Sequence, residues 1–245
     1  MLKASNNFIK LLKKQKRENS CLLFLDNVKI IKDALAGGLK AKYILVDSED
    51  KNIFDNANCE IYKVDSKTIE MLSDSKTPQG VLCITEYIPH IVEKPKTNFL
   101  VLDGLQDPGN VGTLIRTGCA CGFEYVYLVS SVKPSNSKLI RSSVGTIFKS
   151  NVISLSKDEF IKLAKEWQLN LIATDMNGEN IFNFKADGII GLIIGNEGQG
   201  ISDEMAAICN HTVKIPMNEG VESLNASISG AIIMYEINKD NFKNI

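Results

Sequence analysis

The stretch from His211 to Tyr235, HTVKIPMNEGVESLNASISGAIIMY, has the pattern of a strand, a polar loop and the start of a helix. Alternating apolar residues predict a short strand, and Pro216 ends its ladder because proline lacks an N–H. Ser223 stands where we expect the N-cap of the following Ala- and Ile-rich helix. Unpaired backbone groups in such a loop bind a polar ligand, while Ile215 and Leu224 cover its apolar parts. The same pattern is also typical of an ordinary strand-to-helix turn in an α/β domain.

Strands alternate with helices throughout the C-terminal part of the chain. The predicted strands are NFLVLDGL, YVYLV, NVISL, NLIATDM, GIIGLIIG and TVKIP. Helices are predicted between them, from Asn110, near 138–148, at KDEFIKLAKEWQ and from Ser202. This alternation predicts a mostly parallel sheet with helices on both faces. Ligands of such folds bind at the C-terminal ends of the strands.

Three loops lie at such strand ends: LDGLQDPGN at 102–110, IGNEGQGIS at 194–202, and the loop of the opening stretch. Their glycines let the backbone approach a ligand closely. The two common nucleotide-binding patterns, G-x-G-x-x-G and G-x-x-x-x-G-K-[ST], are absent from the sequence. The spacing therefore argues against a Rossmann dehydrogenase and against a P-loop nucleoside triphosphatase.

The N-terminal part has the pattern of a separate small α/β domain. Apolar residues at helical spacing in FIKLLKK predict that the chain begins with a helix whose outer face is rich in lysine. The segments CLLFLD, AKYILVD, EIYKV and VLCITEY predict strands, and helices are predicted at VKIIKDALAGG, ended by Gly37-Gly38, and at TIEMLSD. A proline-flanked segment follows, as in many linkers. We therefore predict one domain at 1–90, a linker at 91–97 and a second domain at 98–245.

Length and charge allow a two-domain protein that contacts a polyanion. With 245 residues and 44% hydrophobic residues, the chain is able to bury a core in each domain. Its formal net charge is −1, yet residues 1–17 and 125–157 are basic and contain no acid. Such runs contact phosphates in some proteins and are plain solvated faces in others, so both interpretations stay open.

Cysteine and histidine usage gives no metal-binding motif. The six cysteines contain no CxxC pair and only two histidines are present, so we expect reduced thiols and no metal. No apolar run reaches the length that crosses a bilayer, and the N-terminus lacks the apolar core of a signal peptide. We expect a cytoplasmic protein without a membrane partner.

The three loops together resemble the three signature motifs of the SpoU (TrmH-like) branch of the SPOUT RNA methyltransferases. The motifs are LDGLQDPGNVGTLIRT at 102–117, LIIGNEGQGIS at 192–202 and VKIPMNEGVESLNASISGAIIMYE at 213–236, in the family's order and spacing. The N-terminal part resembles the small ribosomal-protein-like substrate-binding domain of many members, and TPQGVLCI at 77–84 resembles its usual exit. Asp26-Asn27 stand where members often have Glu-Gly.

The resemblance implies 2′-O-methylation of a ribose in structured RNA, with S-adenosyl-L-methionine as methyl donor and no metal. It also implies a parallel-sheet SPOUT domain with a trefoil knot, and a homodimer through this catalytic domain. The family's cofactor pocket corresponds here to Thr174, Gly195, Ile215 and Leu224. The polar residues around the reacting ribose correspond to Asn110, Arg116, Glu197, Ser223 and Asn225.

Several of these residues also have a purely structural interpretation. Asn110 is expected at a helix N-cap, Glu197 also fits a surface acid, and Ser202 is expected to cap the next helix. The resemblance makes Arg116 the proposed proton acceptor, yet a guanidinium is normally protonated and offers only donors. Two roles of Arg116 therefore stay open: a base, or a clamp that binds a phosphate and stabilises the developing alkoxide.

Two further sets of residues are predicted to form contacts, one with RNA and the other with a second protomer. The basic side chains expected at RNA are Lys10, Lys13, Lys14, Lys16 and Arg141. The apolar stripe expected at the dimer contact, which also fits packing within one chain, is Ile228, Ala231, Ile232 and Tyr235. Ribosomal RNA is favoured over transfer RNA because the N-terminal domain resembles those of ribosomal members. A non-catalytic RNA-binding or ribosome-assembly factor with the same fold is the alternative to an enzyme.

Overall fold

The computed structural model describes residues 1–18, 21–48, 54 and 57–242, which divide into two units, Met1–Ile88 and Pro89–Ile245. Each unit has its own sheet and its own buried core. Within the described residues, no helix is both long and apolar enough to cross a membrane.

The first unit contains a five-stranded mixed sheet with the strand order β1-β4-β3-β5-β2. Its strands are β1 (Leu2–Lys3), β2 (Leu22–Leu25), β3 (Ala41–Val46), β4 (Glu60–Lys63) and β5 (Val81–Glu86). The expectation that the chain begins with a helix is wrong, because β1 comes first and pairs with β4, Leu2 opposite Tyr62. A strand of two residues is too short to produce a period-two pattern, so the sequence contains no signal for it.

Three helices of the first unit begin at polar caps. They are α1 (Asn6–Arg17), α2 (Val28–Ala36) and α3 (Ser66–Leu72), with the N-caps Ser5, Asn27 and Asp65. Gly37 is the C-cap of α2 and Gly38 has a left-handed φ of +92°, so Gly37-Gly38 ends this helix as predicted. One core joins α1 and α3 to the sheet, and it consists of Leu12, Phe24, Leu45, Ile69, Leu72, Leu82 and Ile84. The apolar residues of α1 and α3 are therefore buried because they cover one face of the sheet.

The second unit contains a six-stranded sheet with the order β11-β9-β10-β6-β7-β8. Its strands are β6 (Phe99–Asp103), β7 (Tyr125–Val129), β8 (Asn151–Leu155), β9 (Asn170–Asn180), β10 (Ile190–Gly195) and β11 (His211–Lys214). All neighbouring strands run parallel, which confirms the predicted sheet. Asp103, at the end of β6, pairs with Gly195 on one side and Val129 on the other, so these strand ends share one edge.

Helices cover both faces of this sheet. They are α4 (Pro108–Cys121), α5 (Ser137–Ser142), α6 (Lys157–Trp167), α7 (Asp203–Ala206) and α8 (Ala226–Ile237). Phe99 and Tyr127 pack in one cluster with Phe160 of α6. Leu100 points to the opposite face, where a Cβ on Gly118 of α4 would lie 3.2 Å from its Cδ1. The alternation of side chains along β6 therefore supplies apolar contacts to both helical layers.

Glycine allows helices to pack closely at two positions. A Cβ on Gly112 of α4 would lie 2.5 Å from the Cβ of Ser142, and a Cβ on Gly230 of α8 would lie 2.4 Å from Leu114. After β11, at an edge of the sheet, the chain returns to pack α8 against α4 and β10. The trefoil knot implied by the resemblance depends on how this return is threaded. We keep the knot as a prediction.

Candidate active site

Two of the three loops singled out in the sequence, 194–202 and the loop of the opening stretch, line one cavity at the C-terminal edge of the parallel sheet. The loop at 102–110 contributes no lining residue, but Asn110 at its end is hydrogen-bonded to two residues that do line the cavity. The cavity has a volume of about 580 Å³, within the range typical of small-molecule sites. All four residues expected to bind a cofactor line it, namely Thr174, Gly195, Ile215 and Leu224. Glu197, Ser223 and Asn225 line it as well, whereas Asn110 and Arg116 are not among the lining residues.

Several lining residues were missed in the sequence. They are Asp175, Met176, Ile194, Asn196, Gly198, Gly200, Val213, Lys214, Met217, Glu222, Ala226, Ser229 and Ile233. Most of them directly neighbour a predicted residue in the chain, because a strand end presents consecutive residues to the same edge of the sheet. Ser229 and Ile233 belong to α8, at a spacing of four residues that places both on one helix face. That spacing was the available signal for them.

Gly195 is required by the folding of its own loop. A Cβ at this position would lie 2.2 Å from the carbonyl carbon of Gly200 and 2.2 Å from the nitrogen of Ile201. The loop closes on itself, since Asn196 and Gly200 exchange two backbone hydrogen bonds of 2.9 Å. The Asn196 side chain accepts a hydrogen bond from the Gly198 N–H at 2.9 Å and donates to the Gly104 carbonyl at 2.9 Å. These contacts give the cavity a wall made largely of backbone.

Asn110 does not cap its helix, which corrects the expectation from sequence. The N-cap of α4 is Asp107, whose carboxylate accepts the Asn110 N–H at 3.2 Å, and Pro108 follows at the first helical position. Proline is favoured there because its missing N–H has no helical partner to lose. A hydrogen bond from Lys138, followed by those from the Gly109 and Asn110 N–H groups, lowers the pKa of Asp107. Capping by Asp107 leaves the Asn110 side chain available for the site.

A chain of side-chain hydrogen bonds joins the three motifs. Asn110 donates to Glu197 Oε1 at 2.8 Å, and Asn225 donates to Asn110 Oδ1 at 3.1 Å. The Asn225 oxygen accepts the backbone N–H and the hydroxyl of Ser227, at 2.9 and 2.6 Å. Asn110 therefore uses its N–H group toward the second motif and its oxygen toward the third, while Asn225 uses its N–H group toward the first motif and its oxygen within its own. These bonds fix the orientation of both amides.

The expectation that Ser223 caps the last helix is wrong. Helix α8 begins at Ala226, so Asn225 is its N-cap and Ser223 lies in the exposed loop before it. Asparagine is as good a cap as serine, and both stand within the same three residues of sequence. Asn225 thus has two roles, because it caps α8 and also holds the amide of Asn110.

Arg116 lies on the exposed side of α4, two residues before Gly118. Among the described residues its guanidinium has no hydrogen bond or ion pair. Ser202 stands at the predicted N-cap position of α7, but its hydroxyl makes no capping bond. It donates instead to Asp103 at 2.7 Å. This contact lies outside the cavity lining and was not foreseen.

The basic residues expected at RNA differ in their surroundings. Lys10, Lys13 and Lys14 lie along one face of α1, with Lys14 3.6 Å from Glu18. Lys16 faces inward: its ammonium lies 2.7 Å from Asp74 and donates to the Leu72 carbonyl at 2.6 Å. Lys16 is therefore paired within the unit, and its contact with RNA stays a prediction. Arg141, in α5 of the second unit, is half-buried.

All six cysteines are free thiols, as expected. Burial raises the pKa of Cys83 to about 12 and that of Cys209 to about 11, so both remain protonated near neutral pH. Within the part of the chain that the structure describes, no group of three or more His, Cys, Asp and Glu side chains is arranged to hold a metal ion.

The fold has counterparts among solved structures. The SpoU methyltransferase AviRb from Streptomyces viridochromogenes, solved in complex with the cofactor AdoMet, superposes with a TM-score of 0.85 at 22% identity, over 98% of this chain and 99% of that chain. This chain therefore has the fold of a SpoU methyltransferase, with a parallel-sheet domain preceded by a small α/β domain.

The chain belongs to the SpoU rRNA Methylase family, whose model matches residues 97–235. A second model, the MRM3-like substrate binding domain, matches residues 6–83. The 23S rRNA (guanosine(2553)-2′-O)-methyltransferase RlmP of Bacillus subtilis is 26% identical over 231 residues, which are 93% of each chain. An uncharacterized tRNA/rRNA methyltransferase of Synechocystis, slr1673, is 32% identical over 71% of this chain and 66% of its own length.

Proposed function

We propose that this protein transfers a methyl group from S-adenosyl-L-methionine to the 2′-hydroxyl of a ribose in structured RNA. The observation that carries the proposal is the hydrogen-bonded chain Glu197–Asn110–Asn225, which brings polar groups of all three family motifs to the rim of one cavity. Asn110 lies 87 positions from Glu197 and 115 positions from Asn225, yet their side chains meet there. None of the three is part of the hydrophobic core.

The cavity suits this cofactor in shape and in chemistry. Ile194, Ile215 and Leu224 supply apolar walls for a flat base, and the glycine-containing loop 195–200 supplies backbone groups for its polar edge. Thr174 lies at the same edge, where its hydroxyl donates to the Ile193 carbonyl at 3.4 Å. When bound, S-adenosyl-L-methionine supplies a sulfonium methyl group, which is already a strong electrophile.

The residues of this chain then have three tasks. They align the ribose oxygen with the methyl group, stabilise charge that develops on that oxygen, and remove one proton. Asn110 and Asn225 are oriented by their hydrogen bonds to position the ribose, and the exposed Ser223 hydroxyl lies on the same rim. Glu197 keeps lone pairs for a proton or a hydroxyl group besides the bond from Asn110.

Arg116 is assigned to the phosphate and alkoxide rather than to the proton. Its guanidinium offers five donors and no acceptor while it stays protonated. Since it has no partner among the described residues, its donors remain available for a bidentate contact with a phosphate. We assign removal of the proton to Glu197 or to water.

Ribosomal RNA is the proposed substrate class. RlmP is named as a 23S rRNA methyltransferase, and this chain matches it over 93% of both lengths. The first unit carries the substrate-binding part, with Lys10, Lys13, Lys14 and Arg17 on one helix face at spacings of three and four residues. Such substrates are found in the cytoplasm, where we infer that the protein acts.

A homodimer through the second unit is also proposed. Ile228 and Tyr235 of α8 are 51% and 49% exposed, and their spacing of seven residues places them on one face. Ala231 and Ile232 between them are half-buried, so packing within one chain leaves part of this stripe exposed. Sedimentation at micromolar concentration is expected to show a species of twice 27.0 kDa, which Ile228→Ser with Tyr235→Ser reduces to a monomer. A wild-type monomer contradicts the dimer.

Two measurements test the activity. Calorimetry of the purified protein is expected to show binding of S-adenosyl-L-methionine, and Leu224→Asp is expected to abolish it because a charge would enter the apolar wall. Mapping of ribose methylation over all RNA is expected to find one position that is modified in the wild-type strain and unmodified in a deletion strain. Cofactor binding without any loss of methylation in the deletion strain would favour the non-catalytic assembly factor.

A further inference from the structure

Asp103 is a buried carboxylate that contacts the loop 195–202. This loop is called the cofactor loop because it forms one wall of the proposed cofactor cavity. Asp103 is the last residue of β6 and is 4% exposed. Its Oδ2 accepts two hydrogen bonds from Ser202, from the backbone N–H at 2.8 Å and from the hydroxyl at 2.7 Å. No cation pairs with it among the described residues, so the two donors of Ser202 satisfy this buried oxygen.

The loop 195–202 is attached to β6 at two points. At its start, the Asn196 side chain donates to the carbonyl of Gly104, the residue after Asp103. At its end, Ser202 is held by the Asp103 carboxylate. Between them the loop is closed by the paired backbone of Asn196 and Gly200. Glu197 lies within this closed segment, so its position depends on both attachments.

We propose that Asp103 and Ser202 form a latch that positions the cofactor loop and, through it, Glu197. Neither residue lines the cavity, so they act through the loop and are positioning residues. The hydroxyl of Ser202 supports this assignment, because it makes no capping bond to α7 and donates to Asp103 instead. The inference rests on the proposed function for its effect on methyl transfer, but the latch itself is a property of the free protein.

The first test follows the loop without any ligand. Ser202→Ala removes the hydroxyl and leaves the backbone N–H, so the fold is retained while one charge-assisted bond is removed. We expect backbone amides in the loop 195–202 to exchange hydrogen about tenfold faster in this variant, with the strands of the sheet unchanged. Ser150→Ala is the matched control, because Ser150 is also buried but its hydroxyl has no partner among the described residues. Its loop exchange is expected to equal that of the wild type.

The second test measures what the latch does for the site. Ser202→Ala and Asp103→Asn are each expected to raise the Kd for S-adenosyl-L-methionine about tenfold and to lower the single-turnover rate, while the Kd for RNA stays unchanged. Ser202→Thr restores a hydroxyl and is expected to recover most of the affinity. A purely structural contact would lower the unfolding temperature without this split between the two Kd values.

The outcomes are separable. Wild-type exchange and wild-type cofactor Kd in Ser202→Ala overturn the latch, and this variant decides alone if Asp103→Asn does not fold. If the wild-type protein binds no S-adenosyl-L-methionine, the proposed function fails, and the exchange measurement on the free chain still decides whether the latch exists.

Discussion

Asn110 donates a side-chain hydrogen bond of 2.8 Å to Glu197, a residue 87 positions further along the chain. The same amide accepts the side-chain N–H of Asn225 at 3.1 Å. The N-terminal turn of α4, the loop after β10 and the cap of α8 are thus joined by one chain of polar contacts. In the proposed reaction this chain fixes the groups around the ribose.

The direction of the Asn110–Glu197 bond is testable by exchanging donor and acceptor. Asn110→Asp places two carboxylates in contact, so we expect the single-turnover rate to fall by about a hundredfold or more. Adding Glu197→Gln restores a donor and an acceptor in reversed order, so the double variant is expected to be more stable in urea unfolding than Asn110→Asp alone. A double variant no more stable than Asn110→Asp would show that the two side chains do not form this bond.

Arg116 is tested by the pH dependence of conservative and non-conservative variants. As a clamp, it requires the planar fork, so Arg116→Lys is expected to lose rate by a similar factor at every pH. As a base, it would give a lysine variant whose rate grows with pH, because an ammonium deprotonates more readily. Arg116→Ala at the wild-type single-turnover rate, with RNA and cofactor saturating, would remove both roles.

Gly195→Ala tests the folding of the cofactor loop. Its Cβ would lie 2.2 Å from Gly200 and Ile201 backbone atoms, so we expect a loss of about 1–3 kcal/mol in the free energy of unfolding. Gly198→Ala is the matched control, since its Cβ would lie no closer than 3.6 Å to any neighbouring atom. Urea unfolding of both variants gives the comparison. Equal stability of the two would mean that the loop opens without cost.

The outer face of α1 is expected to bind RNA phosphates. Changing Lys10, Lys13, Lys14 and Arg17 to Gln is expected to weaken RNA binding and to flatten the log–log salt slope by about 0.7–0.9 for each phosphate that is no longer neutralised. Lys16→Gln is the contrasting variant, because Lys16 is paired with Asp74 inside the unit. It is expected to lower stability and leave the salt slope unchanged. An unchanged slope in the fourfold variant would mark this face as merely solvated.

Asp107 is expected to make the free energy of unfolding depend on pH in the acid range. The bond from Lys138 lowers its pKa from the ordinary 3.8, so the folded state binds this proton more weakly than the unfolded chain. The resulting stabilisation is fully present above pH 3.8 and is lost as the pH falls through the lower folded pKa. Asp107→Asn keeps a capping oxygen but cannot ionise. We expect its stability deficit in urea unfolding to be constant near neutral pH and to shrink in acid; a deficit that grows in acid would contradict the assignment.

Periodicity in the sequence predicts the parallel sheet and its two helical layers. The alternation of strands and helices allows hardly any other architecture, and the C-terminal ends of parallel strands must share an edge. For this reason the sequence alone predicts that the loops at 102–110 and 194–202 lie near the opening stretch. The lining of the cavity by Leu224 agrees with its place in the loop after β11, whereas Thr174 is expected there only from the family resemblance.

The choice between neighbouring polar residues could not be predicted. Asp107 and Asn110 are both good caps, and so are Ser223 and Asn225, so the sequence does not define where α4 and α8 begin. The residue at which each helix begins decides which side-chain amides are available for the site. Lys16 illustrates the same limit, because its partner Asp74 is 58 positions away and no local pattern connects them. The two-residue strand β1 gives no periodic signal.

The most direct test of the account is methyl transfer in vitro from labelled S-adenosyl-L-methionine to total RNA of a deletion strain. After digestion to nucleosides, we expect the label in a 2′-O-methylated nucleoside from ribosomal RNA with the wild-type protein. At the same early time point we expect about a hundredfold less label with Asn110→Asp. RNA from the parent strain is expected to accept little label, because its target ribose is already methylated. Absence of label in every RNA fraction, or label on a base instead of a ribose, would contradict the assignment of this site.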